Sequence, residues 1–389
     1  KPPTPPAPPA SSLTRRSLHD RIVEVLSYLS DEIDSRRVGG LGEAQAAGYV
    51  AGRLRRAEYA AAVQSFRAST GARVAFVVLT ALGVIGGALA VLQPQPLWLI
   101  LAGLLVVLPL ILLLAEIEGP APFRRVLKGS LSQSVVAARA AGARNARWRL
   151  IVLAPLDGSP QPVLSRSWLL VLLLALLLEA VGVGGVFAAG TVGWRVFVGV
   201  CTLVVALIGM AVLRRLLFPG LVPAIHGAGE LTTLLMVAEE LEPLQSLEVW
   251  MVALGGGSVG HESIHALTER YPFSPNDTCI INLHNITAGQ PVFVTREGVL
   301  RDRRSDRMLL ALASDTDAAD ISIDAEPRRL HEHTLAQAFH RAGYRAISIS
   351  SHSDTSSFAD INATTIERCV RLVVGMIRGL DAAESSKER

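Results

Sequence analysis

The strongest constraint on this chain is a set of four long, nearly uncharged apolar runs that come in two closely spaced pairs. They are Val74–Leu92, Leu97–Ala115, Trp168–Ala189 and Trp194–Leu213. Each is long enough to cross about 30 Å of hydrocarbon at ~1.5 Å per helical residue. The linkers are Gln93-Pro94-Gln95-Pro96 and Gly190-Thr191-Val192-Gly193, so each pair can only fold back as a tight hairpin. Trp98, Trp168 and Trp194 mark the run ends, where an indole prefers the membrane–water boundary. The lipid bilayer is therefore the first partner the sequence predicts.

Cations set the expected orientation. The hairpin tips carry none but Arg195, at the edge of the fourth run. The opposite flanks carry Arg53, Arg55, Arg56, Arg67 and Arg73, then Arg124, Arg125 and Lys128, then Arg166, then Arg214 and Arg215. Positively charged flanks stay on the cytoplasmic side. Both chain ends and residues 116–167 then share that side and can assemble into one domain, made of 15–73, 116–167 and 214–381. Residues 1–14 are Pro-rich and are expected to be a disordered tail rather than a signal peptide, and 382–389 a polar tail. A net charge of +3, with no basic stripe, excludes nucleic acid as a natural partner. Cys201, Cys279 and Cys369 form neither a disulfide framework nor a paired zinc spacing.

Outside the runs the periodicity changes. Leu18, Ile22, Val25, Leu26, Leu29 and Ile33 make a helical stripe over 15–34, and further helices are expected over 43–58, 229–241, 262–270, 333–342 and 363–380. Strands are expected over Ser132–Ala138, Arg149–Ala154, Leu247–Leu254, Thr278–His284 and Arg345–Ser350. Alternating strands and helices imply an α/β fold with a helix-covered, mostly parallel sheet. Sites in such folds gather at the carboxyl ends of strands, here Pro155–Asp157, Gly255–Ser258, His284–Asn285 and Ser351–Asp354.

Several segments carry a resemblance. They are Arg36 with Gly42-Glu43-Ala44-Gln45, Ser132-Gln133-Ser134-Val135, Leu153-Ala154-Pro155-Leu156-Asp157, Ile281-Asn282-Leu283-His284, Thr295-Arg296-Glu297-Gly298 and Ala342-Gly343-Tyr344. In order and spacing the chain resembles the co-catalytic di-zinc aminopeptidase-type metallopeptidases (metallopeptidase family twenty-eight), in a membrane-anchored form with hairpins inserted. The resemblance implies two bridged metals, held by a His, a bridging Asp, a Glu-Glu pair, an Asp and a late His, with the first Glu of the pair as base. Those positions fall here on Pro155, Ile225 (beside His226), Gly257 and Ser258, His284 and His352, so only the two histidines could still ligate metal. Asp157 would be the residue that orients the missing first His. Zinc is possible on these terms, but no cofactor is expected, because two imidazoles cannot cage a metal pair.

Rival features are weighed on the same terms. His261-Glu262-Ser263-Ile264-His265 fits the H-E-x-x-H zinc motif, but starts at a helix boundary with no third ligand in view. His331-Glu332-His333 reads as a solvated helix entry, Gly255–Gly257 as a flexible loop, and Asp315–Asp324 as a solvated loop and strand edge. Glu179 is an ionisable residue in mid-span, and such a group is a functional candidate by default. With no cation in any span to meet it, the plain reading is a protonated side chain bonded within the bundle. Three functions follow: an inactive peptidase-like protein that binds a peptide or protein, a surviving metal-dependent peptidase, or a transport or assembly subunit centred on Glu179.

Overall fold

The computed structural model describes residues 17–33, 35–68, 72–118, 129–142, 148–158, 164–218, 227–256, 262–353 and 361–387. Its centre is a nine-stranded sheet. The strands are β1 (Ala60–Ala68), β2 (Ser130–Arg139), β3 (Trp148–Pro155), β4 (Leu247–Leu254), β5 (Thr278–Leu283), β6 (Gln290–Glu297), β7 (Arg303–Arg304), β8 (Glu326–Leu330) and β9 (Arg345–His352). The order is β1-β2-β4-β3-β5-β9-β6-β7, and β8 pairs with β6. β4, β3, β5 and β9 run parallel, while β2 is antiparallel to both β4 and β1. β1 therefore points the same way as the parallel core.

Strands buried on both faces read as continuous apolar runs. In β5 all six residues are buried. On one face of the sheet Leu150, Val152, Met251, Ile281 and Ile347 meet α1 (Leu18–Ser27), α2 (Leu41–Arg56), a helix over Ala228–Glu240 and the terminal helix over Ala363–Lys387. The other face packs Ile151, Leu153, Val252 and Ile280 under helices over Glu262–Arg270 and Leu335–Arg341. Ser17 caps α1 by accepting from the Asp20 amide at 3.1 Å, and after Ser27 the helix widens into a π-helical turn, Tyr28–Glu32.

Among the described residues, four helices are long and apolar enough to cross a membrane: α3 (Ala72–Leu92), α4 (Pro96–Glu118), α5 (Arg166–Ala189) and α6 (Val192–Leu217). They pack as one bundle around Leu79, Leu113, Leu172, Leu176 and Val205. Ile85, Leu104, Leu174, Phe187, Leu203 and Met210 face outward from it. The following helices are α7 (Ala228–Glu240), α8 (Glu262–Arg270), α9 (Arg307–Ala319), α10 (Leu335–Arg341) and α11 (Ala363–Lys387).

Some elements differ from the sequence reading. β1, β6, β7, β8 and α9 were not expected. The run Asp315–Asp324 begins inside α9, which Asp306 caps by accepting from the Met308 and Leu309 amides at 3.0 and 3.2 Å. Helix α11 runs on to Lys387, through most of the expected polar tail, because Asp381 accepts from the Gln245 and Ser246 amides and Glu384 is buried. The stripe expected over 15–34 is broken by the π-helical turn.

Glu179 is fully buried in the bundle and accepts from the Thr202 hydroxyl at 2.5 Å. A Cβ on Gly87 would collide with Glu179 Oε1 and Thr202 Oγ1, so α3 can approach this pair only as glycine. Gly87→Ala should therefore destabilise the bundle by about 1–3 kcal/mol. Glu179→Gln, which keeps a hydrogen bond to Thr202, should stay within about 1 kcal/mol of the parent. Thermal melting of the full chain in detergent distinguishes the two.

Candidate functional site

The strand tips are tied together by their own backbones. The His284 amide donates to the Ile349 carbonyl at 2.9 Å, which carries β5 on beside β9. Asn285 then turns with a left-handed φ of 49°, and its amide donates to Glu230 Oε1 at 2.9 Å. A Cβ on Gly229 would run into the Ile286 carbonyl, so the first turn of α7 lies directly against this loop. The Thr287 amide donates to Ser351 Oγ at 2.8 Å and closes the loop onto the end of β9.

At the end of β3, Asp157 is buried, and the Gly158 amide donates to the Arg36 carbonyl at 3.0 Å. The Arg36 guanidinium is buried close to both Glu230 and Asp157. Burial brings its pKa down to about 10, while the two carboxylates act the other way. A buried cation of this kind is tolerable because acids face it. Asp157, which the resemblance assigns to orienting a histidine, is thus an electrostatic partner of an arginine.

The exit of β4 is held by Glu43. It accepts from the Gly39 amide at 2.6 Å and the Ser132 hydroxyl at 2.5 Å. Burial pushes its pKa up, and these bonds, with amides of Gln133 and Gly256, pull it back only in part. A Cβ on Gly255 would meet the Gln133 carbonyl and Glu43, and Gly256 takes a left-handed φ of 62°. Gly255 and Gly256 are sterically required here, while Gly257, the last residue of the run expected to be a flexible loop, lies outside the described residues.

His284 is the most chemically distinctive group at the tips. Its Nε2 lies 3.1 Å from Glu332 Oε2, with side-chain exposures of 14% and 59%. Burial works against the charged imidazole, but Glu332, with Glu230 and Glu297 adding to it, outweighs burial and the His284 pKa is raised. The same bond holds the Glu332 carboxyl below its ordinary range. Glu332 is exposed and stands just ahead of α10, which starts at Leu335 behind a Thr334 cap, in keeping with a solvated helix entry; from there its carboxylate also reaches His284.

Beneath this pair lies a buried polar cluster. Glu297 accepts from Ser348 Oγ at 2.7 Å and Thr334 Oγ1 at 2.8 Å, and His340 Nε2 is 3.0 Å away. Asn282 Nδ2 donates to Ser348 Oγ at 3.0 Å. Burial alone would raise the Glu297 pKa, and these three partners hold it below the usual range. Sequence reasoning missed Glu230 and Glu332 because they lie 55 and 48 residues from their partners, with no local pattern to connect them.

The structure brings Pro155, Asp157, His284 and His352 to one end of the sheet. Ile225, His226, Gly257, Ser258, His261 and Asp354 lie outside the described residues. Glu262 and His265 sit on α8, with His265 exposed. Among the described residues no three His, Cys, Asp or Glu side chains converge to hold a metal. Among the described positions, Pro155 offers no side-chain donor atom, Asp157 lies close to Arg36, and His284 Nε2 is 3.1 Å from Glu332 Oε2.

The sequence matches no family model and no curated protein. Solved structures do match. A zinc aminopeptidase from Bacillus subtilis superposes with a TM-score of 0.54 at 11% identity, over 94% of this chain and 96% of that one. An aminopeptidase from Aneurinibacillus sp. strain AM-1 gives 0.50 at 10%, over 92% and 93%. A glutaminyl cyclase from Macrostomum lignano gives 0.51 at 12%, over 97% and 95%. The chain has the zinc-aminopeptidase fold, and at such identities the likeness is one of fold alone.

The His284–Glu332 pair predicts a pH window. With His284 raised above 6.5, its contribution is complete below 6.5 and is lost as pH rises through the folded value. With Glu332 lowered below 4.5, its contribution is present above 4.5 and is lost as pH falls. Amide exchange over residues 331–334, corrected for intrinsic rate, should be slowest between those limits, and Glu332→Gln should flatten both limbs.

Proposed function

We propose that this chain is a membrane-borne protein built on a peptidase fold that acts by binding a peptide or a partner protein, without peptidase chemistry. One observation carries the reading. The strand tips that would cage metals are occupied by internal pairs, Arg36 with Asp157 and Glu230, and His284 with Glu332. Of the remaining positions implied by the resemblance, Ile225 and Gly257 supply no donor and Ser258 no carboxylate, which leaves His352. Loss of a general base alone costs about 10²–10⁴-fold in rate. The protein purified in detergent should hold substoichiometric zinc after incubation with the metal and should release no amino acid from a peptide panel. A bound zinc pair together with turnover would overturn the reading.

The membrane reading is supported by the outward apolar side chains of α3 to α6. Contiguous apolar surface on this scale is not left in water. The flanking arginines favour an arrangement with the α/β domain in the cytoplasm. In intact cells a membrane-impermeant maleimide should label a cysteine placed at Gln95 or Thr191. A cysteine at Asn276 should react only after permeabilisation.

A further inference from the structure

Strand direction fixes which end of the α/β domain meets the bundle. β1 runs parallel to β3, β4, β5 and β9, so its last residue, Ala68, lies at their carboxyl ends. Ala68 pairs with Ser130, the first residue of β2, and β2 in turn pairs Val135 with Ala253 near the tip of β4. The hairpin α3–α4 is therefore inserted beyond the strand tips. The second hairpin follows the carboxyl end of β3 and returns to α7, whose first turn packs on the tip loop through Gly229–Ile286 and Glu230–Asn285. Two further contacts agree. Val299 is buried in the same apolar cluster as the four bundle helices, and Arg166, the first residue of α5, is close enough to His331 to depress its pKa.

We infer that the strand-tip site faces the bilayer surface, and that its ligand is a polypeptide segment emerging from the membrane, the juxtamembrane stretch of another embedded protein. This rests on the reading of the chain as a membrane-borne binder, and it adds where the ligand comes from. The exposed edge of the site selects against the other material at that surface. Glu332 is exposed there, while Glu43, Asp157 and Glu230 are buried behind it and already engaged within the domain. A phosphate headgroup would meet the Glu332 carboxylate, whereas a polypeptide brings backbone donors and cationic groups to it. A soluble peptide must reach the site from the side, through the gap between domain and lipid. A membrane-held segment is already there at high local concentration.

The test uses the full chain in nanodiscs, with nitroxides on cysteines at Ala288, in the tip loop, and at Asn276, before the amino end of β5. The strand between them is about 20 Å long. Relaxation by headgroup-attached paramagnetic lipid should be strong at Ala288 and weak at Asn276; equal effects, or the reverse order, overturn the orientation. The ligand is then tested with a fluorescent decapeptide, either free or joined to a palmitoyl chain by a three-residue linker. The tethered form should bind about a hundredfold more tightly than the free form, and Glu332→Gln should weaken binding of both. Tethered and free forms binding alike, binding only through a long linker, or a response to anionic vesicles without peptide would each overturn the assignment of the ligand. Bound zinc with turnover would sink the non-catalytic reading and leave the depth data standing, so the two failures are distinguishable.

Discussion

The architecture depends on the antiparallel ladder between β1 and β2, which closes the sheet across an inserted apolar hairpin. Ala60–Ala68 pairs residue for residue with Ala138–Ser130 in reverse. Ala68 and Ser130 are therefore neighbours, although α3 and α4 lie between them in sequence. Without that ladder the hairpin would be a long flexible excursion. With it, the hairpin leaves the domain from two adjacent backbone positions and inherits their direction. The second hairpin is held by different means, with β3 on one side and the first turn of α7, locked against Ile286, on the other.

The same end of the sheet has its own internal electrostatics. Asp157 and Glu230 face one cation, Arg36, and His284 faces Glu332, so each charged group has an opposite charge within the protein. Removing one member of such a buried set leaves the others unpaired, which commonly costs about 3–5 kcal/mol. The tips are thus built for rigidity as much as a metal centre would be. Glu43 adds to this by fixing the turn after β4, with glycine the residue that fits at Gly255.

The most legible features in the sequence were those dictated by a solvent. Apolar runs such as those of α3 to α6 could be bounded from composition, and β4 was placed at both ends because a doubly covered strand is apolar throughout. β1 escaped because its Ala-rich stretch lies at the sheet edge, half exposed, with no strict alternation. α9 escaped because Asp315 and Asp317 sit on a short helix where few residues are buried. At the site, the strand ends that carry Pro155, Asp157, His284 and His352 could be read from the sequence. The partners of those residues could not, since Glu332 reaches His284 only once α10 has set where the preceding loop ends.

The nested layout also constrains the order in which the molecule can be made. When β1 leaves the ribosome its ladder partner β2 has yet to be synthesised, and two long apolar helices, α3 and α4, lie between them in the chain. Likewise β3 must wait through α5 and α6 before β4 arrives beside it. Sheet closure therefore waits until all four apolar helices have been made. A defect in either hairpin would surface as a failure of the sheet that closes around it.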